Sequence, residues 1–157
     1  RKWFSDAVPP AGAASGTDHP LAQASATAVQ TVLTSLEQLD FRSAAEAALQ
    51  LAISANGFLN EQAPWSRMKQ EGNRDLVAAD LYAVLETARI VALLLAPLLP
   101  DLSNRMLVQL GQDPPKSAAG EHSNHWASTL AWGQLLSAAP LPEPSPVMVR
   151  LELDEPL

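Results

Sequence analysis

The chain has 157 residues, 17 acidic and 10 basic side chains, a net charge of −7, and no cysteine. The length suits one domain, and the lack of cysteine excludes disulfides, thiolate zinc sites and a cysteine nucleophile. Hydrophobic residues reach 47% but aromatics only 5%, so alanine and leucine carry the apolar content and bias the chain towards helix. The acid excess argues against an extended basic surface of the kind that usually binds nucleic acid.

The first 20 residues open with Arg1, Lys2, Trp3 and Phe4 and continue as a loop rich in Pro, Gly, Ala and Ser. Arg1 is not an initiator methionine, so something upstream is expected to have been removed. Asp6, Pro9 and Pro10 fall where a signal peptide needs an apolar core. The longest apolar run, Ile90 to Leu99, is interrupted by Pro97 and falls short of the roughly 20 residues that span a bilayer. A cytoplasmic protein with no membrane partner is expected.

Pro20 suits a first helical turn. Val29, Val32, Leu33, Leu36 and Leu39 recur at spacings of three and four, which predicts a helix over about 20–38. Asp40 can cap the next helix, whose apolar positions are Phe41, Ala45, Ala48, Leu49, Ala52, Ile53 and Leu59 and which should reach about residue 60. Pro64 ends it or opens a short turn. Gly72 and Asn73 read as a break and a new cap. A long helix over 74–95 follows, with Leu76, Ala79, Val84, Ala88, Val91 and Leu95 on one face, stopped by Pro97 and Pro100. A short helix over 101–110 closes at Gly111.

Residues 112–124 are a polar loop with Pro114, Pro115 and Gly120, and a weak helix is expected between 125 and 136. Pro140, Pro142, Pro144 and Pro146 make the segment 137–157 extended, with 147–153 a short strand or simply extended chain. The fold class is all-α: an antiparallel helix bundle over about 20–111 within one domain spanning 1–157, with an extended C-terminal tail.

Catalytic signatures are lacking. There is no glycine-rich phosphate loop and no Gly-x-Ser-x-Gly. His122 and His125 lie near Glu121, but a metal needs three or four ligands and no third clear one presents itself, so no metal is expected. Glu152, Asp154 and Glu155 solvate the tail rather than form an acid–base pair. The residue that stands out is Trp65, directly after Pro64 at a helix end. It admits two readings. A buried core indole is the commoner fate of tryptophan. An indole held outward on a rigid corner would instead offer a stacking platform to an unpaired base, with Arg67, Lys69 and Arg74 beside it for phosphates.

The run Ala55-Asn56-Gly57-Phe58-Leu59-Asn60-Glu61-Gln62-Ala63-Pro64-Trp65, followed by Lys69, resembles the anticodon-domain signature of methionine–tRNA ligases. Arg89, the apolar run to Leu95, then Pro97-Leu98-Leu99-Pro100, Ser103 and Leu110-Gly111 are similar to a second family pattern. Trp132-Gly133 and then Val147-Met148-Val149-Arg150-Leu151-Glu152 are similar to the family's ending. The resemblance implies that Trp65 stacks on the first anticodon base, a cytosine, and that Pro64 shapes that contact. Lys2, Arg67, Lys69 and Arg74 become candidate tRNA backbone contacts. The family's other anticodon readers, an Asn and an Arg four residues apart on a preceding helix, would fall upstream of Arg1.

The two ATP-site signatures of class I synthetases do not occur in the chain. The resemblance therefore implies no catalytic residue and no cofactor here, with ATP and Mg belonging to a catalytic domain of the parent ligase. The implied partners are tRNA(Met) and that catalytic domain, and not DNA. Two other readings stay open: the same domain type from a cysteine, valine or isoleucine enzyme, and a helical protein-interaction module with no RNA contact, which the net charge favours.

Overall fold

The computed structural model describes residues 3–113 and 124–148, and for Asn124 and His125 the backbone only. Six helices follow one 3-10 turn (Gly12–Ser15): α1 (Pro20–Glu37), α2 (Phe41–Gln62), α3 (Pro64–Arg67), α4 (Arg74–Leu95), α5 (Pro100–Gln109) and α6 (Asn124–Thr129). The described residues contain no strand, only an isolated bridge between Ala7 and Pro140. The all-α expectation holds, and each of the four long helices ends within two residues of its predicted boundary.

Local chemistry sets those boundaries. Pro20 occupies the first turn of α1, and His19 caps it: the imidazole Nδ1 accepts the Leu21 N–H at 3.2 Å. Asp40 caps α2 as expected, accepting the Ser43 N–H at 3.0 Å and the Ser43 hydroxyl at 2.7 Å. Asn73 sits at the N-cap position of α4, yet its side chain does not cap. Its amide instead donates to Arg67 O and Gln70 Oε1, closing the turn that joins α3 to α4.

Helix α4 is the central element, packed against α1, α2, α5 and the 3-10 turn. From Ile90 to Leu95 every residue is buried. Here the predicted faces need correction. Leu76 is 53% exposed, and in α2 it is Phe41, Leu49 and Ile53 that face solvent. The buried line of α2 is Ala44, Ala48, Leu51 and Ala55. Alanines let helix axes approach closely, so the tight seam selects the small residues and turns the larger ones outward. Leu39 is also exposed, at the α1–α2 corner with φ +59°.

The C-terminal segment differs more. The helix expected over 125–136 stops at Thr129, and residues 130–141 form an irregular strap across the bundle. Gly133 (φ +85°) and Ala138 (φ +63°) interrupt any helix, and side chains of α4 satisfy the strap's backbone. Glu86 Oε1 accepts the Gly133 and Gln134 N–H groups at 2.8 and 3.1 Å, and Oε2 accepts Leu135 N–H at 3.0 Å. Arg89 is ion-paired to Glu86 through two hydrogen bonds and donates to Thr129 O at 2.6 Å and Ala131 O at 2.7 Å. Tyr82 donates to Leu135 O, and the Trp126 and Trp132 indoles donate to Leu93 O and Ala14 O. Val8 exchanges hydrogen bonds with Ala138 and Ala139, which fastens the N-terminal segment to the strap. The prolines from 140 to 146 run without regular structure, and 147–148 bend. The remainder of the expected strand, with Arg150 and Glu152, lies outside the described residues, as do Arg1, Lys2 and most of the 112–124 loop.

Candidate nucleic-acid interface

The corner that carries Trp65 begins where α2 ends. Ala63 takes the left-handed conformation (φ 42°, ψ 58°), which turns the chain sharply out of α2. An alanine there costs about 1–2 kcal/mol, so the surroundings must impose the turn. They do so through Pro64, which is fully buried at the first position of α3, and through the Ala63 carbonyl, which accepts the Ser66 and Arg67 N–H groups. The one-turn helix α3 then has its first residue anchored inside and its second, Trp65, facing out.

Trp65 is 48% exposed, and among the described residues no ring stacks on it. Of the two readings that the sequence left open, the outward one describes the geometry. A half-exposed indole on a braced corner is within reach of a flat partner from solvent.

The three nearby cations are placed differently from one another. Arg67 is 27% exposed and forms an ion pair with Asp80 of α4, which is 15% exposed. The same Arg67 nitrogen donates to Gln62 Oε1 at the end of α2. Arg74 donates to the Trp3 carbonyl at 2.7 Å, and its guanidinium lies 5.0 Å from the centre of the Phe4 ring. Lys69 is exposed and forms no ion pair among the described residues. Lys2 lies outside them. Thus two of the candidate phosphate contacts hold the corner and the N-terminal segment to α4, and one cation is free.

Asp80 also faces His19. Burial lowers the His19 pKa below its usual 6.5, and the Asp80 charge opposes that shift. The imidazole is edge-on to Phe58 at 5.2 Å and stacked on Trp132 at 6.1 Å. Neither Asp80 nor Gln62 was singled out from the sequence. Gln62 stands inside the signature run, but Asp80 is 13 positions beyond Arg67 and carries no local signal. The described residues contain no group of three His, Asp or Glu placed to hold a metal ion.

An antiparallel helical bundle of this order is the fold of a helical anticodon-binding domain. A family model described as the anticodon binding domain of methionyl tRNA ligase matches residues 8–141, and the chain belongs to that family. It is 37% identical over 142 residues to a methionine–tRNA ligase of Thermosynechococcus vestitus, covering 90% of this chain and 27% of that protein. It is 35% identical over 127 residues to the chloroplastic/mitochondrial methionine–tRNA ligase of Arabidopsis thaliana, covering 80% of this chain and 20% of that protein. The fold is similar to the crystal structure of the apo form of Mycobacterium tuberculosis methionyl-tRNA synthetase, with a TM-score of 0.76 and 25% identity. That match covers 98% of this chain and 31% of the other. The chain thus spans about a quarter of the length of the relatives it matches. These matches favour methionine ligases over the cysteine, valine or isoleucine enzymes kept as alternatives.

Proposed function

We propose that this domain reads the anticodon of tRNA(Met) on behalf of a methionine–tRNA ligase, with Trp65 stacking on the first anticodon base and Pro64 fixing the angle of the contact. The observation that carries the reading is the exposure of Trp65 on a corner whose neighbouring residue, Pro64, is fully buried. Stacking on an aromatic side chain is worth about 1–3 kcal/mol per base and needs a ring that solvent can reach. Lys69 is the cation free to meet a phosphate of the loop, and Lys2 is a second candidate. The reading assigns ATP, Mg and the ligation chemistry to a catalytic domain of the same protein, and places that protein in the cytoplasm. No helix among the described residues is long and apolar enough to cross a membrane. The acidic charge does not oppose this assignment, because reading a few splayed bases needs only a small contact area.

The test is binding to two anticodon stem-loops, one with the methionine anticodon and one with its first base changed. The expected result is a preference for the first that Trp65→Ala removes while the melting temperature holds. Equal binding of both stem-loops by the protein with its upstream helix present refutes the reading role.

A further inference from the structure

We propose that Arg67 is a positioning residue: paired with Asp80 and Gln62, it sets the orientation of α3 and hence of the Trp65 indole, and it is not a phosphate ligand. The proposal rests on the reading of Trp65 as the base platform, and it assigns the device that aims that platform. Helix α3 has only four residues. One turn of helix cannot hold its own geometry in water, so its direction is set at its two ends. At the first end, left-handed Ala63 and buried Pro64 fix the entry. At the last, the Arg67 guanidinium reaches Asp80 on α4 and Gln62 on α2, joining three helices at one point. Trp65 lies between these two anchors.

The carboxylate side of the pair points the same way. Asp80 is 15% exposed, so withdrawing Arg67 to a phosphate would leave a largely desolvated carboxylate without its counter-charge. His19 also faces Asp80, but its burial favours the neutral ring, so it is a poor substitute. Lys69, two residues further on, is exposed and free to make the phosphate contact instead.

Arg67→Gln and Asp80→Asn separate the two roles, because the phosphate-ligand role predicts opposite signs for them. Both are made in the full protein that the reading frame encodes and tested on the paired anticodon stem-loops over a range of salt concentrations. Positioning predicts that both variants lose discrimination at the first anticodon base by about fivefold or more, part of the stacking contribution. It also predicts an unchanged salt slope, whereas Lys69→Gln lowers the slope by about 0.7, the loss of one single-strand phosphate contact. A phosphate ligand predicts that Arg67→Gln lowers the salt slope and that Asp80→Asn, by freeing the guanidinium and removing an acid, tightens binding. That pair of results overturns the proposal.

A second readout needs no RNA. In 15N-labelled protein the Trp65 indole resonance should shift in both variants and return largely in Arg67→Lys, which keeps the charge. The Trp126 and Trp132 indoles, hydrogen-bonded to Leu93 O and Ala14 O, report that the fold is intact. An unmoved Trp65 resonance in a folded Arg67→Gln protein overturns the strut. Unaltered discrimination in Trp65→Ala, together with a Trp65 resonance that does respond to Arg67→Gln when Trp65 is kept, refutes the base platform alone.

Discussion

Replacing Glu86 with glutamine removes one charge and one acceptor from a fully buried carboxylate in the core. The carboxylate is fully buried and accepts five hydrogen bonds: two from Arg89 and one each from Gly133, Gln134 and Leu135. A glutamine keeps one acceptor oxygen. In its better orientation that oxygen serves the side facing Gly133 and Gln134, and the amide nitrogen then opposes Leu135 N–H and Arg89 Nε. Two donors lose their acceptor, and the Arg89 charge is left buried without a counter-ion. Breaking a buried pair in this way costs about 3–5 kcal/mol. For a domain of this size each kcal/mol lowers Tm by about 2–4 °C, so a fall of roughly 6–20 °C is expected. The assay is thermal unfolding followed by circular dichroism, with hydrogen exchange at the Gly133, Gln134 and Leu135 amides to locate the damage. The double variant Glu86→Leu, Arg89→Met sharpens the point. Buried ion pairs often tolerate apolar replacement, but here four strap backbone groups and the Thr129 carbonyl depend on the pair, so the double variant should not recover stability. A Tm within about 2 °C of the parent, with the three amides still protected, would falsify the view that Glu86 holds the strap.

Gly111→Ala should cost more than an ordinary helix-end change, because an added Cβ would lie 2.4 Å from the Pro140 carbonyl oxygen at a residue with φ +68°; urea unfolding should show a loss of at least about 2 kcal/mol, and a loss near zero would mean that the strap yields freely. Tyr82→Phe removes the hydroxyl that donates to Leu135 O in the core and should cost about 1–2 kcal/mol by the same method. Trp65→Ala should leave Tm nearly unchanged, since the indole is half exposed; outright unfolding would restore the core reading of that residue. His19 supplies a pH dependence: its folded pKa lies below the usual 6.5, so its contribution to stability is complete above that value and is lost as the pH falls towards the folded pKa. Melting scans from pH 8 to 5 should show that loss, and His19→Asn, which keeps a capping acceptor without titrating, should lack that part of it.

Much of the bundle was legible from local chemistry. Pro20, Asp40, Pro64 and the pair Pro97 and Pro100 act on their own neighbours, so they place helix boundaries regardless of the rest of the fold. Periodicity gave the helices and the inward faces of α1 and most of α4, but not that of α2. In α2, Ala44 and Ala48 turn inward and Leu49 and Ile53 outward, a choice set by how closely α1 and α4 approach. The segment after Thr129 misled because its hydrogen bonds are made to Glu86, Arg89 and Tyr82, more than 40 positions away, and not within a helix.

The sequence by itself determined the helix class, the ends of the four long helices and the Pro64–Trp65 corner, because each depends on residues within one or two turns of one another. The tertiary structure decided which way that corner faces and what braces it. Trp65 reaches solvent because Pro64 is buried, and Arg67 is held by Asp80 across a gap of 13 residues. The partner of a charge depends on which helices meet, and helix meeting is fixed by packing that no local pattern specifies.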